Sequence, residues 1–178
     1  MEFRGIKLYI VIIVTLLIVG LFFAARYLLD VYRIEKPLKE QLASLEGIRE
    51  IEIIENNKGK ALLVSFMPGI DFYELYQKIE GKIEDVTSNR KADIIIVNDT
   101  GSELSESYYQ LHFALYEGIN TGRFLEMKKN IDDILSTEDL ASYRVWVDEK
   151  AVYLQLDKDN DSFYCRIAYK NKGIKEGG

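Results

Sequence analysis

The densest run of potential metal ligands is Asp157-Lys158-Asp159-Asn160-Asp161. Carboxylates at every second position can wrap a Ca²⁺ ion, as they do in the first half of an EF-hand loop. The remainder of that loop is missing: Ser162 stands at the sixth position, where glycine makes the sharp turn, and Ala168 at the twelfth, where a bidentate glutamate closes the site. A solvated hairpin turn is the better reading, with weak cation binding outside that motif as the alternative. Cys165 and His112, the single cysteine and single histidine, could pair as thiolate and base. They fall on different expected elements, and Cys165 shares a strand face with Phe163 and Ile167, which reads as a buried structural thiol. His112 lies off the apolar stripe of its helix and reads as a boundary residue. Asp132-Asp133 and Glu138-Asp139 resemble acid/base pairs, but neighbours on a helix point to different sides. They read as a solvated face and the start of a turn. Asn98-Asp99-Thr100 satisfies the glycosylation sequon, which acts only in a eukaryotic secretory pathway; a turn after a strand accounts for it. No phosphate loop, dinucleotide fingerprint, nucleophile elbow or metalloprotease helix is present in the sequence. The sequence therefore nominates no catalytic residue, no cofactor site and no metal site.

Tyrosine is the most unusual compositional feature, with twelve in 178 residues. It is enriched at protein contacts because its ring buries area while its hydroxyl stays satisfied. Tyr73, Tyr76, Tyr108, Tyr109 and Tyr116 are the candidate interaction residues, on helices expected over 72–86 and 104–119. The competing reading places them at the edges of an amphipathic core. A net charge of −6 argues against a nucleic-acid partner, which needs a clustered basic surface. One cysteine excludes an internal disulfide, and with one histidine it leaves no ordinary Cys/His zinc site. Packing must hold this chain together.

The elements that would position these residues begin with an apolar leader. From Ile6 to Ala25 the only charge is Lys7, interrupted otherwise by Thr15 and Gly20. About twenty such residues span a ~30 Å hydrocarbon core, which predicts one transmembrane helix over 6–29 with the lipid bilayer as its partner. The stretch is too long for a signal peptide, and cleavage after Ala24 or Ala25 would place Phe22 or Phe23 where a small residue is needed. No cysteine follows it to carry a lipid. Basic residues stand on both sides, Arg4 and Lys7 before it and Arg26, Arg33, Lys36 and Lys39 after it. The very short N-terminal tail favours a cytoplasmic N-terminus and an extracytoplasmic C-terminal domain; an interior-facing domain is the alternative. Residues 1–5 are then a tail, 30–46 a juxtamembrane helix or linker, 47–170 one α+β domain and 171–178 a frayed, glycine-rich end.

Within the domain, Leu38, Leu42 and Leu45 continue a helical spacing, broken or restarted at Pro37, with Gly47 as its stop. Alternation over Ile48–Glu55 and Ala61–Phe66 predicts a hairpin turning at Asn56-Asn57-Lys58-Gly59. Asp71 and Glu74 have capping-box spacing before an amphipathic helix to Val86. Ala92–Val97 is apolar at almost every position, which predicts a central strand covered on both faces and the best protected in the domain. Thr100 and Glu103 form a second capping pair, followed by two helices, or one kinked helix, interrupted at Asn120-Thr121-Gly122. Alternation over 143–147, 152–156 and 163–169 predicts an antiparallel three-stranded meander, with turns at Asp148-Glu149-Lys150 and Asp157–Asp161.

The order helix, strand, strand, helix, strand across Pro37 to Val97 resembles the small αββαβ ring-building motif of secretion and sporulation membrane complexes. It is also similar to the BON domain and to sporulation lipoproteins of that layout. Gly47-Ile48, the hairpin ending at Phe66, the helix from Phe72 and the Ile94–Val97 strand carry the likeness. The resemblance implies self-association or envelope attachment without catalysis, through helix faces and a sheet edge. The resulting expectation is a single-pass protein of a bacterial envelope whose domain binds copies of itself or another envelope protein. A carboxylate-based envelope hydrolase and a small-ligand sensor are the alternatives.

Overall fold

The computed structural model describes residues 2–3, 6–30, 35–56, 59–87, 93–98, 103–140 and 142–169. Several sequence features lie wholly or partly outside them: the turn at Asn57-Lys58, Ala92, Asp99 and Thr100 of the sequon and second cap, and the tail after Tyr169. The fold is mixed α+β, with five helices and two three-stranded sheets among the described residues.

A short antiparallel pair, β1 (Glu2–Phe3) and β2 (Ile6–Lys7), precedes helix α1 (Leu8–Asp30), which therefore starts two residues later than expected. At 1.5 Å per residue α1 is about 34 Å long. It is long and apolar enough to cross a membrane. From Tyr9 to Arg26 every side chain is exposed, so this stretch of α1 is not covered by any of the described residues. Helix α2 (Lys36–Ala43) is a fresh start, with Pro37 in its first turn, where a missing N–H removes no helical bond. It ends at Ser44, ahead of the expected stop at Gly47. Gly47 does different work: it has φ +97°, and a Cβ there would lie 2.8 Å from Ile70 Cγ2. Only glycine accepts both the left-handed backbone and that approach.

The first sheet has the order β3 (Ile48–Asn56), β4 (Gly59–Phe66), β5 (Asp93–Ile96). The expected hairpin is present, and helix α3 (Phe72–Thr87) carries the chain across to β5, which pairs parallel to β4. Asp71 accepts the Glu74 N–H at 3.0 Å, which is half of a capping box; the Glu74 carboxylate turns instead to Lys78. The αββαβ order expected over 37–97 is thus the order observed. The placement of β5 is not as expected. It is an edge strand, paired only with β4, and Ile95 and Val97 are exposed. Unbroken apolarity cannot distinguish a central strand from an edge strand that ends beside another sheet.

The second sheet is the expected meander, β6 (Ser142–Val147), β7 (Ala151–Lys158) and β8 (Asp161–Ala168). Its centre, β7, is the strand covered on both faces: every residue from Ala151 to Asp157 is buried. Ala151 and Tyr153 face a core shared with α2, α3 and the first sheet, while Val152, Leu154 and Leu156 face a second core. Helices α4 (Glu103–Thr121) and α5 (Phe124–Leu135) cover that second face. They are two helices, separated at Gly122 with φ +72°. The start of α4 meets the chain beyond α5 through a Ser107–Glu138 hydrogen bond of 3.1 Å, which makes the pair antiparallel.

Side chains of Asn98 and Tyr164 join the sheets. Asn98, just past β5, donates its amide N–H to the Tyr164 carbonyl at 2.8 Å and accepts the Tyr164 N–H at 2.9 Å. Its amide thus copies one rung of a ladder onto the open edge of β8, and the Tyr164 hydroxyl completes the junction on the Met67 carbonyl at 2.7 Å. Asn98→Ala orphans both Tyr164 backbone groups, and urea unfolding is expected to show a loss of about 1 to 3 kcal/mol. An unchanged midpoint would mean water replaces the amide without penalty.

Candidate functional site

The residues that suggested chemistry are dispersed by the fold. Asp157 is drawn out of its turn into the interior, where it accepts Ser162 Oγ at 2.6 Å, Ser142 Oγ at 2.8 Å and both contacts of Gln155 Nε2 at 3.0 Å. The actual turn is Asp159-Asn160, with Asp159 at φ 51°, a conformation aspartate tolerates. The expected solvated turn over 157–161 is therefore shortened, and its carboxylates do not converge. No group of three or more metal-ligating side chains occurs among the described residues.

Cys165 and His112 do not form a pair. Burial pushes the Cys165 thiol up, and a Tyr108 hydrogen bond only partly offsets it, so the sulfur stays protonated and unactivated. His112 sits against aromatic rings instead, 4.6 Å from Tyr116 and 5.3 Å from Phe113 between centroids. Asp132 accepts the Tyr143 hydroxyl at 2.5 Å and pairs with Lys128, and Glu138 accepts from Ser107. Among the described residues, the carboxylates displaced from their ordinary range, Glu103, Asp132 and Asp148, are all held below it. A general acid requires displacement in the other direction.

Asp148 shows how the downward shift arises. Burial alone would raise it, but the Lys150 and Ala151 N–H groups donate at 2.7 and 2.8 Å and outweigh that penalty. Because its folded pKa is depressed, its stabilisation is complete above the unfolded value of about 4 and disappears as pH falls through the folded value. Asp148→Asn should therefore lower stability at neutral pH, where the carboxylate's contribution is fully present, and converge on the parent as pH falls below about 4, flattening the acid limb of a stability-versus-pH curve. A parallel acid limb in the variant would remove Asp148 from the account.

The five candidate tyrosines separate into three environments. Tyr76 is only 2% exposed and belongs to an interior aromatic cluster with Phe72 and Tyr153, so it is not a surface residue. The half-buried Tyr73 stacks on Trp146 with centroids 5.9 Å apart. Behind these rings lies a polar assembly with no signature in the sequence. Arg166 sits 5.2 Å from the Tyr76 ring and 5.7 Å from the Tyr153 ring, and it reaches Glu80, which also binds Lys150. These groups come from α3, β7 and β8, too far apart in sequence for any spacing rule to connect them. Tyr108 is half-buried, stacked on Phe163 at 4.8 Å, and lines a shallow groove of about 290 Å³ between α4 and β8, together with Tyr116, Cys165 and Arg166.

Tyr109 and Tyr116 are the two that reach solvent, and they do so together. The inward side of α4 is Leu104, Ser107, Leu111, Ala114, Leu115 and Gly118. On the opposite side, at spacings of four and three, stand Tyr109, Phe113 and Tyr116, exposed to 63%, 69% and 41%. No known family or fold is matched. Comparison with protein-family models, with curated proteins and with solved structures gives no match in any of the three. The resemblance of residues 37–97 to the ring-building and BON layouts rests on element order alone, and order does not carry function.

Phe113 completes this stripe and was not among the sequence candidates. The sequence held the signal: Tyr109-Phe113-Tyr116 repeats at helical spacing half a turn away from Leu104-Leu111-Leu115. A search restricted to tyrosine passes over it. The other two domain helices lack such a second apolar side. The outward residues of α3 include Glu74, Lys78, Gly81, Glu84 and Asp85, and those of α5 are polar apart from Leu125.

Proposed function

We propose that this chain is a membrane-anchored, non-catalytic interaction module: α1 spans the bilayer once, and the α+β domain presents α4 to a protein partner at the outer surface of a bacterial membrane. The observation that carries the reading is the second apolar face of α4. A helix that buries one face and is polar on the other is complete within its domain, whereas one apolar on both sides requires cover on both. Three large aromatics in a contiguous exposed row, rather than scattered singly, have the composition of the centre of a protein interface.

Anchoring is supported by the same logic applied to α1, which is apolar all round and, from Tyr9 to Arg26, is left uncovered by the described residues. An interaction role accords better with the site geometry than hydrolysis does. An open groove of about 570 Å³, lined by Glu103, Lys158, Asp159 and Asp161, has its Glu103 carboxylate neutralised by Lys158 at 2.5 Å.

The test is photo-crosslinking of the full-length protein in its membrane, with the photoreactive residue placed at 109, 113 or 116 and, as a control, at Lys78 on the polar side of α3. A discrete adduct from the α4 positions and none from the control is the expected result. Equal labelling from both helices, or none from either, would end the interaction reading. Protease added outside intact cells should remove the domain; protection would place it inside.

A further inference from the structure

We propose that the open edge of β8 takes an extended segment of another protein as an added strand, with the segment's apolar side chains seated in the groove between β8 and α4. This deepens the interaction-module reading and rests on it. The first argument is the backbone. Strand β8 is paired on one side only, with β7. Both main-chain groups of Tyr164 point away from β7, because Asn98 holds them. Strand alternation then turns the N–H and C=O of Arg166 and Ala168 to the same open side, while the Tyr169 N–H turns inward to the Lys150 carbonyl. Among the described residues nothing pairs with those groups of Arg166 and Ala168. Donors and acceptors repeated every second residue, about 6.5 Å apart, match another extended backbone. Asn98 fills the first such rung with an amide that imitates one.

The second argument is the groove. Cys165 and Ile167 of β8 form one wall and Tyr108, Tyr116, Ile119 and Asn120 of α4 the other, around about 290 Å³. Cys165 and Ile167 lie on the α4 side of their sheet, so every second side chain of an added strand would enter this space. Its lining suits an aromatic or branched apolar side chain. A strand edge beside a helix lets main-chain bonds supply affinity and alternate side chains supply specificity. Tyr116 belongs to both the groove and the exposed row of α4, so the two surfaces are continuous. The third argument is the contrast with β3. Open edges are commonly blunted by charge, and β3 exposes Arg49, Glu50, Glu52 and Glu55. Past Tyr164, β8 carries one charge, Arg166, and its guanidinium is turned back onto Tyr76, Tyr153 and Glu80.

A random heptapeptide library displayed on phage, panned against full-length protein in phosphatidylcholine nanodiscs, tests this. Peptides with apolar residues at alternate positions should be enriched, and a synthetic copy should slow amide exchange of Arg166 and Ala168 at least tenfold. N-methylation of one alternate set of its residues should weaken binding at least tenfold, and methylation of the other set should not. Ala168→Pro, which removes an outward N–H without breaking a bond to β7, should weaken binding as much while far-UV circular dichroism stays unchanged; Phe113→Glu, on the outward side of α4, should leave it unchanged. An unenriched library, binding indifferent to N-methylation, or protection at 166 and 168 that rises with protein concentration alone would overturn the added strand. If that happens while the photo-crosslinkers on α4 still capture a discrete protein, the interaction module stands and the strand does not.

Discussion

Gln155→Leu is expected to lower the stability of the domain by roughly 3 to 4 kcal/mol, read as the shift of a urea unfolding midpoint. Gln155 is fully buried on the central strand, and its amide links the buried Phe72 N–H, the partly buried Ile70 carbonyl and Asp157. Its oxygen accepts the Phe72 N–H at 3.3 Å, and its nitrogen donates to the Ile70 carbonyl at 2.8 Å and to Asp157. Leucine matches its volume but satisfies none of them. Two backbone groups are left buried and unpaired at about 1 to 3 kcal/mol each, and Asp157 loses a donor. Leucine's extra apolar burial offsets only part of this, since a whole side chain of that size contributes about 1.5 to 3 kcal/mol. Gln155→Glu separates geometry from charge: it keeps the acceptor for Phe72 but sets a second carboxylate against Asp157. Relative to the parent, that variant should lose less stability at pH 4 than at pH 8. A loss below 1 kcal/mol for the leucine variant would show that the 68–72 loop is held by Gly69 and Ser162 alone.

The second large effect is expected at Gly118, where α4 packs directly against Met127 of α5. A Cβ there would meet Met127 Cβ at 2.5 Å and its Cγ at 2.6 Å. Alanine is the better helix former by about 1 kcal/mol, so propensity alone predicts a gain. Overpacking a closed contact costs about 1 to 3 kcal/mol, and the clashing atom is the stem of Met127 rather than its flexible end. Sterics therefore win: Gly118→Ala should lower the melting temperature, and Gly118→Leu should lose about 3 kcal/mol or more as the helices are forced apart. A melting temperature that rises in the alanine variant would mean the two helices slide to admit the methyl.

These two residues also mark where sequence reading succeeds and where it stops. Helices and strands followed from periodicity, because burial of one face imposes a period of 3.6 or 2 and the apolar residues record it. The hairpin, the meander and the αββαβ order were all legible in that way. What periodicity cannot report is the number of faces covered. Ile94-Ile95-Ile96 has the pattern of a central strand and is an edge, while β7 alternates Val152, Leu154 and Leu156 with the polar-ended Tyr153, Gln155 and Asp157 and is covered on both faces. Those ends are satisfied by Gln77, Phe72 and Ile70, 76 to 85 residues away, by Ser142, Ser162 and Arg166 nearer in the chain, and by one another, and no local pattern encodes such partners. Asp157 was misplaced for the same reason. Of the candidate surface, Tyr109 and Tyr116 were legible, Phe113 was legible but overlooked, and Tyr76 was indistinguishable from them until the position of α3 was known. Gly47 was legible as a backbone exception, yet its cause, the approach of Ile70, is tertiary.

The rung that Asn98 supplies to Tyr164 has a consequence for how the chain would behave in a foreign host. The nitrogen that bonds the Tyr164 carbonyl is the atom to which an N-linked sugar would be attached. A folded domain therefore withholds its own acceptor, and a sugar added beforehand would prevent the junction from closing. Expressed through a eukaryotic secretory route, the Asn98-Asp99-Thr100 tripeptide becomes a stopwatch, its occupancy recording how long each molecule stays open before the sheets meet. The slower or less stable the folding, the larger the modified fraction, so Gln155→Leu chains should carry sugar more often than the parent, as a gel shift reversed by endoglycosidase would show.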